Sequence, residues 1–114
     1  MVTIYHNPRC SKSRQTLNLL QENGIEPNIV LYLETPPDTK TLQDLLAKLG
    51  ISARQLLRKG EQAYKDNELG NAELSEAQLI AAMVANPKLI ERPIVVKGNK
   101  AVLGRPPENV LELV

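Results

Sequence analysis

One short stretch holds the chemistry: His6-Asn7-Pro8-Arg9-Cys10-Ser11-Lys12-Ser13-Arg14, with the only cysteine and the only histidine of the 114 residues. A thiol is a nucleophile only as thiolate, and cationic or dipolar surroundings lower its pKa. Arg9, Lys12 and Arg14 supply charge around Cys10. A lone cysteine more often packs as an inert small hydrophobe, so its position in the fold decides the matter. Cys10-Ser11-Lys12-Ser13 has the C-x-x-S form, with a serine where a dithiol oxidoreductase has its resolving cysteine. An oxidised or adducted Cys10 therefore needs a second thiol from outside, and glutathione or a glutaredoxin is the natural supplier in a reducing cell.

Other chemistries are unsupported. A C-x5-R oxyanion loop would need arginine at position 16, which is Thr16. One cysteine, one histidine and scattered carboxylates lack the clustering of a metal site. No G-x-x-x-x-G-K-[ST] or G-x-G-x-x-G phosphate cradle occurs. The net charge of +1, with acids and bases interspersed, argues against a nucleic-acid or membrane surface, and the absence of Trp and Phe removes the stacking platform of a single-strand binder. One cysteine makes no internal disulfide and no apolar run approaches a span, so a soluble cytoplasmic protein is expected.

The length predicts one domain with an aliphatic core, joined by Tyr5, Tyr32 and Tyr64. Val2-Thr3-Ile4-Tyr5 reads as a strand, and Leu17, Leu19 and Leu20 fall at helical spacing before Asn23-Gly24. Cys10 then sits at a strand-to-helix turn, where free N–H groups and the helix dipole favour thiolate. Ile29 to Tyr32 reads as a short buried strand, completing a parallel β-α-β unit. Asp38 or Thr39 caps a helix carrying Leu42, Leu45, Leu46 and Leu49; Ser52 caps a shorter helix closed by Gly60. A further turn or two is expected over Glu61 to Asp66. Ser75-x-x-Gln78 is a capping box ahead of Leu79, Ile80, Met83 and Val84. Arg92 to Lys97 and Lys100 to Leu103, split by Gly98-Asn99, form a β-hairpin, and Glu108 to Leu113 forms a final short helix. The order predicts an α/β fold with a mixed four-stranded sheet: a thioredoxin-like three-layer fold with a helical insertion, about 38–87, before the final hairpin.

Strand ends and their turns gather at one edge of such a sheet. Arg92 precedes the third strand, Arg105 follows the fourth, and Arg58 follows Leu56-Leu57. Three converging guanidiniums would fork a tetrahedral oxyanion. An X–Pro bond such as Arg92-Pro93 is open to both isomers on physical grounds, with trans the commoner.

Over essentially its full length the chain resembles the glutaredoxin-coupled, ArsC-like arsenate reductases. The resemblance rests on Ile4-Tyr5-His6-Asn7-Pro8-Arg9-Cys10-Ser11-Lys12-Ser13-Arg14, Leu57-Arg58-Lys59-Gly60-Glu61, Glu91-Arg92-Pro93-Ile94-Val95 and Gly104-Arg105-Pro106-Pro107-Glu108. It implies that Cys10 attacks arsenate, that Arg58, Arg92 and Arg105 bind the oxyanion, that His6 tunes the thiol and that Ser13 supports it. It also implies a cis Pro93 facing the cysteine, glutathione as co-substrate and glutaredoxin as partner, with no bound cofactor and no metal. Two other readings are a glutathione-linked thiol oxidoreductase on a different substrate and an Spx-like regulator binding RNA polymerase. The latter generally uses a C-x-x-C switch, which Ser13 removes.

Overall fold

The computed structural model describes residues 1–114 and divides into two compact units, Met1–Thr35 with Arg92–Val114, and Pro36–Glu91. The first unit holds β1 (Val2–His6), α1 (Ser11–Glu22), β2 (Asn28–Leu31), β3 (Ile94–Lys97), β4 (Lys100–Leu103) and a terminal 3-10 helix, Pro107–Leu113. Its sheet has the order β2-β1-β3-β4, with β1 parallel to β2 and antiparallel to β3, and β3 antiparallel to β4. This is the expected mixed α/β sheet. Alternation along β1 buries Val2, Ile4 and His6. Val2 and Ile4 join Leu20 of α1, Val95 of β3, and Val110 and Leu113 of the terminal helix in one core. Burying each such aliphatic side chain contributes roughly 1.5–3 kcal/mol.

Three expectations need correction. β2 is not a buried strand: it lies at the sheet edge, and Ile29 is 44% exposed because nothing pairs beyond it. The last helix is 3-10, not α. Pro107 supplies a fixed φ at its start, and seven residues suffice to bury Val110 and Leu113. Of the three tyrosines, Tyr32 alone is fully buried.

The hairpin turns at Gly98, whose φ of +60° is the left-handed conformation needed at the first position of a two-residue turn. The Arg92-Pro93 bond is cis, and so is Arg105-Pro106, which had no signal in the sequence.

The second unit, inserted between β2 and β3, contains α2 (Thr39–Leu49), α3 (Ala53–Leu56), α4 (Gln62–Asp66) and α5 (Glu76–Ala85), followed by a 3-10 turn at Pro87–Leu89. Asp38 caps α2 by accepting the Thr41 N–H, and capping boxes start α3 at Ser52 and α5 at Ser75. The α2 stripe Leu42, Leu45 and Leu46 is buried, and α2 and α3 both pack against α5. The expected insertion is thus seen as helices α2 to α5.

Candidate functional site

Cys10 is the N-cap of α1, in extended conformation (φ −94°, ψ 123°) and part-exposed. The turn before it is tightly specified. Cys10 N–H donates to the Asn7 carbonyl at 3.0 Å, Arg9 N–H donates to Asn7 Oδ1 at 3.0 Å, and Arg14 N–H closes the first helical turn onto the Cys10 carbonyl. Arg14 Nη1 reaches back to the Pro8 carbonyl at 2.9 Å. Burial by itself pushes the Cys10 thiol up. The Ser13 amide, the hydrogen bond and charge of Arg92, and the Lys12 amide together outweigh it, so the pKa lies below the ordinary cysteine value. Arg105 Nη2 lies 3.5 Å from Cys10 Sγ, while its Nε donates to the Arg92 carbonyl at 2.8 Å. The sulfur therefore faces amide and guanidinium donors, the environment that stabilises thiolate or an anionic adduct.

The sheet register explains why these parts meet. Tyr5 pairs with Ile94 and Ile94 with Leu103, so the ends of β1, β3 and β4 align. One residue further, Gly104 N–H donates to the Pro93 carbonyl at 2.9 Å, carrying the ladder to the loop that bears Arg105.

Behind the thiol loop lies a buried polar group. His6 is only 6% exposed and Ser13 fully buried. Ser13 Oγ lies 2.6 Å from His6 Nδ1 and accepts the Asn7 N–H at 3.0 Å. The 2.6 Å contact joins the His6 ring to Ser13 whichever of the two donates, and with the Asn7 N–H it ties β1, the loop and α1 together at Ser13. Burial, and secondarily the charge of Arg14, lower the His6 pKa and keep it neutral. Ser13 is thus a structural hinge pin of the loop rather than an exposed stand-in for a resolving cysteine.

The structure brings His6, Cys10, Ser13, Arg92, Pro93 and Arg105 together within the first unit. Arg58 belongs to the second unit, where Nη1 pairs with Glu91 Oε1 at 2.7 Å, Nε lies 3.5 Å from Glu61 Oε2, and the backbone N–H donates to the Leu89 carbonyl. No group of three or more His, Cys, Asp or Glu side chains could hold a metal ion. No helix is long and apolar enough to cross a membrane.

Residues 5–113 match the ArsC family. The chain belongs to the ArsC family. It is 66% identical over 114 residues to the uncharacterized protein YfgD of Escherichia coli strain K12, covering 99% of this chain and 96% of that one. It is 51% identical over 113 residues to an arsenate reductase of Haemophilus influenzae, covering 98% of this chain and 97% of that one. Among solved structures, an arsenate reductase from Vibrio cholerae superposes with a TM-score of 0.97 at 52% identity, over 99% of this chain and 97% of that one.

Two residues of this ArsC protein's site carried no chemical signal in sequence. Thr16 is fully buried, donates to the Lys12 carbonyl at 2.8 Å and lies 3.3 Å from the Gly104 carbonyl. Gly104 is packed so closely that an added Cβ would lie 2.5 Å from Thr16 Oγ1 and 2.7 Å from Pro93 Cγ. A signal existed: Ser13 and Thr16 share the inner stripe of α1 with Leu20, where apolar residues are the rule.

Proposed function

We propose that this protein reduces arsenate to arsenite, with Cys10 as its single nucleophile and glutathione and glutaredoxin as external thiols. The observation that carries the reading is a sole cysteine at a helix N-cap, with its pKa lowered and the Arg105 guanidinium 3.5 Å from its sulfur. Relatives at about half identity that bear the name arsenate reductase support the substrate.

In this reading the Cys10 thiolate attacks arsenic(V) and displaces water, forming an S–As bond. Arg92 and Arg105, together with Arg58, bind the arsenate oxygens. Glutathione thiolate attacks the cysteine sulfur, the S–As bond breaks with its electron pair going to arsenic, and arsenite leaves as the trivalent species. The Cys10–glutathione disulfide then exchanges with glutaredoxin, which regenerates the thiolate. Neutral His6 and Ser13 hold the loop and Pro93 holds the strand end, so the sulfur is placed before substrate arrives.

The test is arsenate-dependent NADPH consumption with glutathione, glutaredoxin and glutathione reductase. Wild type should turn over and Cys10→Ser should not, with severe loss for Arg92→Ala, Arg105→Ala or Arg58→Ala. Wild-type turnover in Cys10→Ser would sink the mechanism.

A further inference from the structure

The nucleophile loop also borders a second feature of the first unit. A cleft of about 320 Å³ is lined by His6, Asn7, Pro8 and Arg9 from the loop, and by Leu31, Leu33 and Glu34 from the end of edge strand β2. Its size falls at the low end of small-ligand sites. Two of its polar side chains are more than nine-tenths buried, His6 at 6% and Asn7 at 7% exposure. Each has spent one end on the loop: His6 Nδ1 on Ser13, Asn7 Oδ1 on the Arg9 N–H. Their other ends, His6 Nε2 and Asn7 Nδ2, are solvent-accessible rather than buried without a partner. Arg9 and Glu34, of opposite charge, border the same cleft, and neither side chain is engaged in an ion pair. Pro8, Leu31 and Leu33 give it apolar walls.

We propose that this cleft is the docking subsite for the reducing co-substrate, a small zwitterionic peptide thiol of the glutathione type; this rests on the external-thiol mechanism above. The Asn7 amide and the Arg9 guanidinium suit a peptide carbonyl and a carboxylate, and Glu34 suits an ammonium group. The cleft reaches Arg9, the residue bonded to Cys10, and an extended tripeptide spans about 10 Å. A ligand anchored here is therefore long enough to bring its sulfur to the reacting thiol. The cleft is lined by neither Arg92 nor Arg105, so the reductant and the oxyanion have separate binding residues.

The probe is S-methylglutathione, whose capped sulfur cannot react, titrated into the 15N-labelled full-length protein. Shift changes concentrated at residues 6–9 and 31–34 are expected, with affinity weakened about fivefold by Glu34→Gln and by Arg9→Gln, both exposed positions. Absence of binding up to about 10 mM, shifts mapping elsewhere, or unchanged affinity in both variants would overturn the subsite. The outcome is separable from the arsenate reading. Binding in the cleft without arsenate turnover keeps the subsite and removes the oxidant. Arsenate turnover with a glutathione KM unmoved by Glu34→Gln keeps the reductase and removes the subsite.

Discussion

Gly104→Ala tests whether packing behind the active loop sets the reactivity of the thiol. The new methyl would meet Thr16 Oγ1 at 2.5 Å, Pro93 Cγ at 2.7 Å and Thr16 Cγ2 at 2.9 Å, where ordinary contact begins near 3.4 Å. The closest pair overlaps by about 0.9 Å, and neither partner is a loose side-chain end: Thr16 is fully buried and Pro93 a ring at the head of β3. The loop must retreat by roughly 1 Å, at an overpacking cost of about 1–3 kcal/mol. Arg105 is the next residue, and its guanidinium would move from 3.5 Å to roughly 4.5 Å from the sulfur. At an effective dielectric of about 20 the lost attraction is about 1 kcal/mol, and roughly half that once water screens an exposed arginine. The Cys10 pKa should then rise, slowing alkylation near neutral pH about two- to sixfold. The assays are iodoacetamide reaction rate against pH, and the urea midpoint at unchanged m-value. Thr16→Ala removes two of the three clashing atoms, so adding it to Gly104→Ala should restore part of the thiol pKa, visible as coupling in a double-mutant cycle. A Gly104→Ala protein with wild-type midpoint and wild-type alkylation profile would refute the reasoning.

Further outcomes follow from the same geometry. Ser13→Ala strands both His6 Nδ1 and the Asn7 N–H inside the protein, and should destabilise it by about 2–5 kcal/mol by urea titration; a loss under about 0.5 kcal/mol would show water replacing the hydroxyl. Arg92→Ala removes a hydrogen bond and a positive charge from Cys10, so the thiol pKa should rise and the alkylation profile move to higher pH. The His6 pKa is lowered on folding, so the unfolded chain binds the proton more readily. Stability is full above about pH 6.5 and is lost as pH falls through the folded value. The slope of unfolding free energy between about pH 7 and 5 should flatten in His6→Gln, and an unchanged slope would place that pH dependence elsewhere.

Much of this was legible from residue order alone. The thiol at a strand-to-helix turn, the α2 stripe, the capping boxes at Ser52 and Ser75 and the Gly98-Asn99 hairpin all depend on neighbours within a few positions. The absence of a resolving cysteine is a count, and no fold can change it.

Tertiary structure decided the rest, because it depends on which strands lie side by side. Ile29 to Tyr32 has the same apolar pattern whether central or at the edge, and only the β2-β1-β3-β4 order exposes Ile29. Arg105 lies 95 positions from Cys10 and Gly104 lies 88 from Thr16. Those contacts exist because the β1–β3–β4 register aligns three strand ends, a long-range pairing no local pattern encodes. Ser13 has the clearest double meaning. Its sequence position marks the missing second thiol, while its burial against His6 and Asn7 makes it the residue that holds the loop in shape.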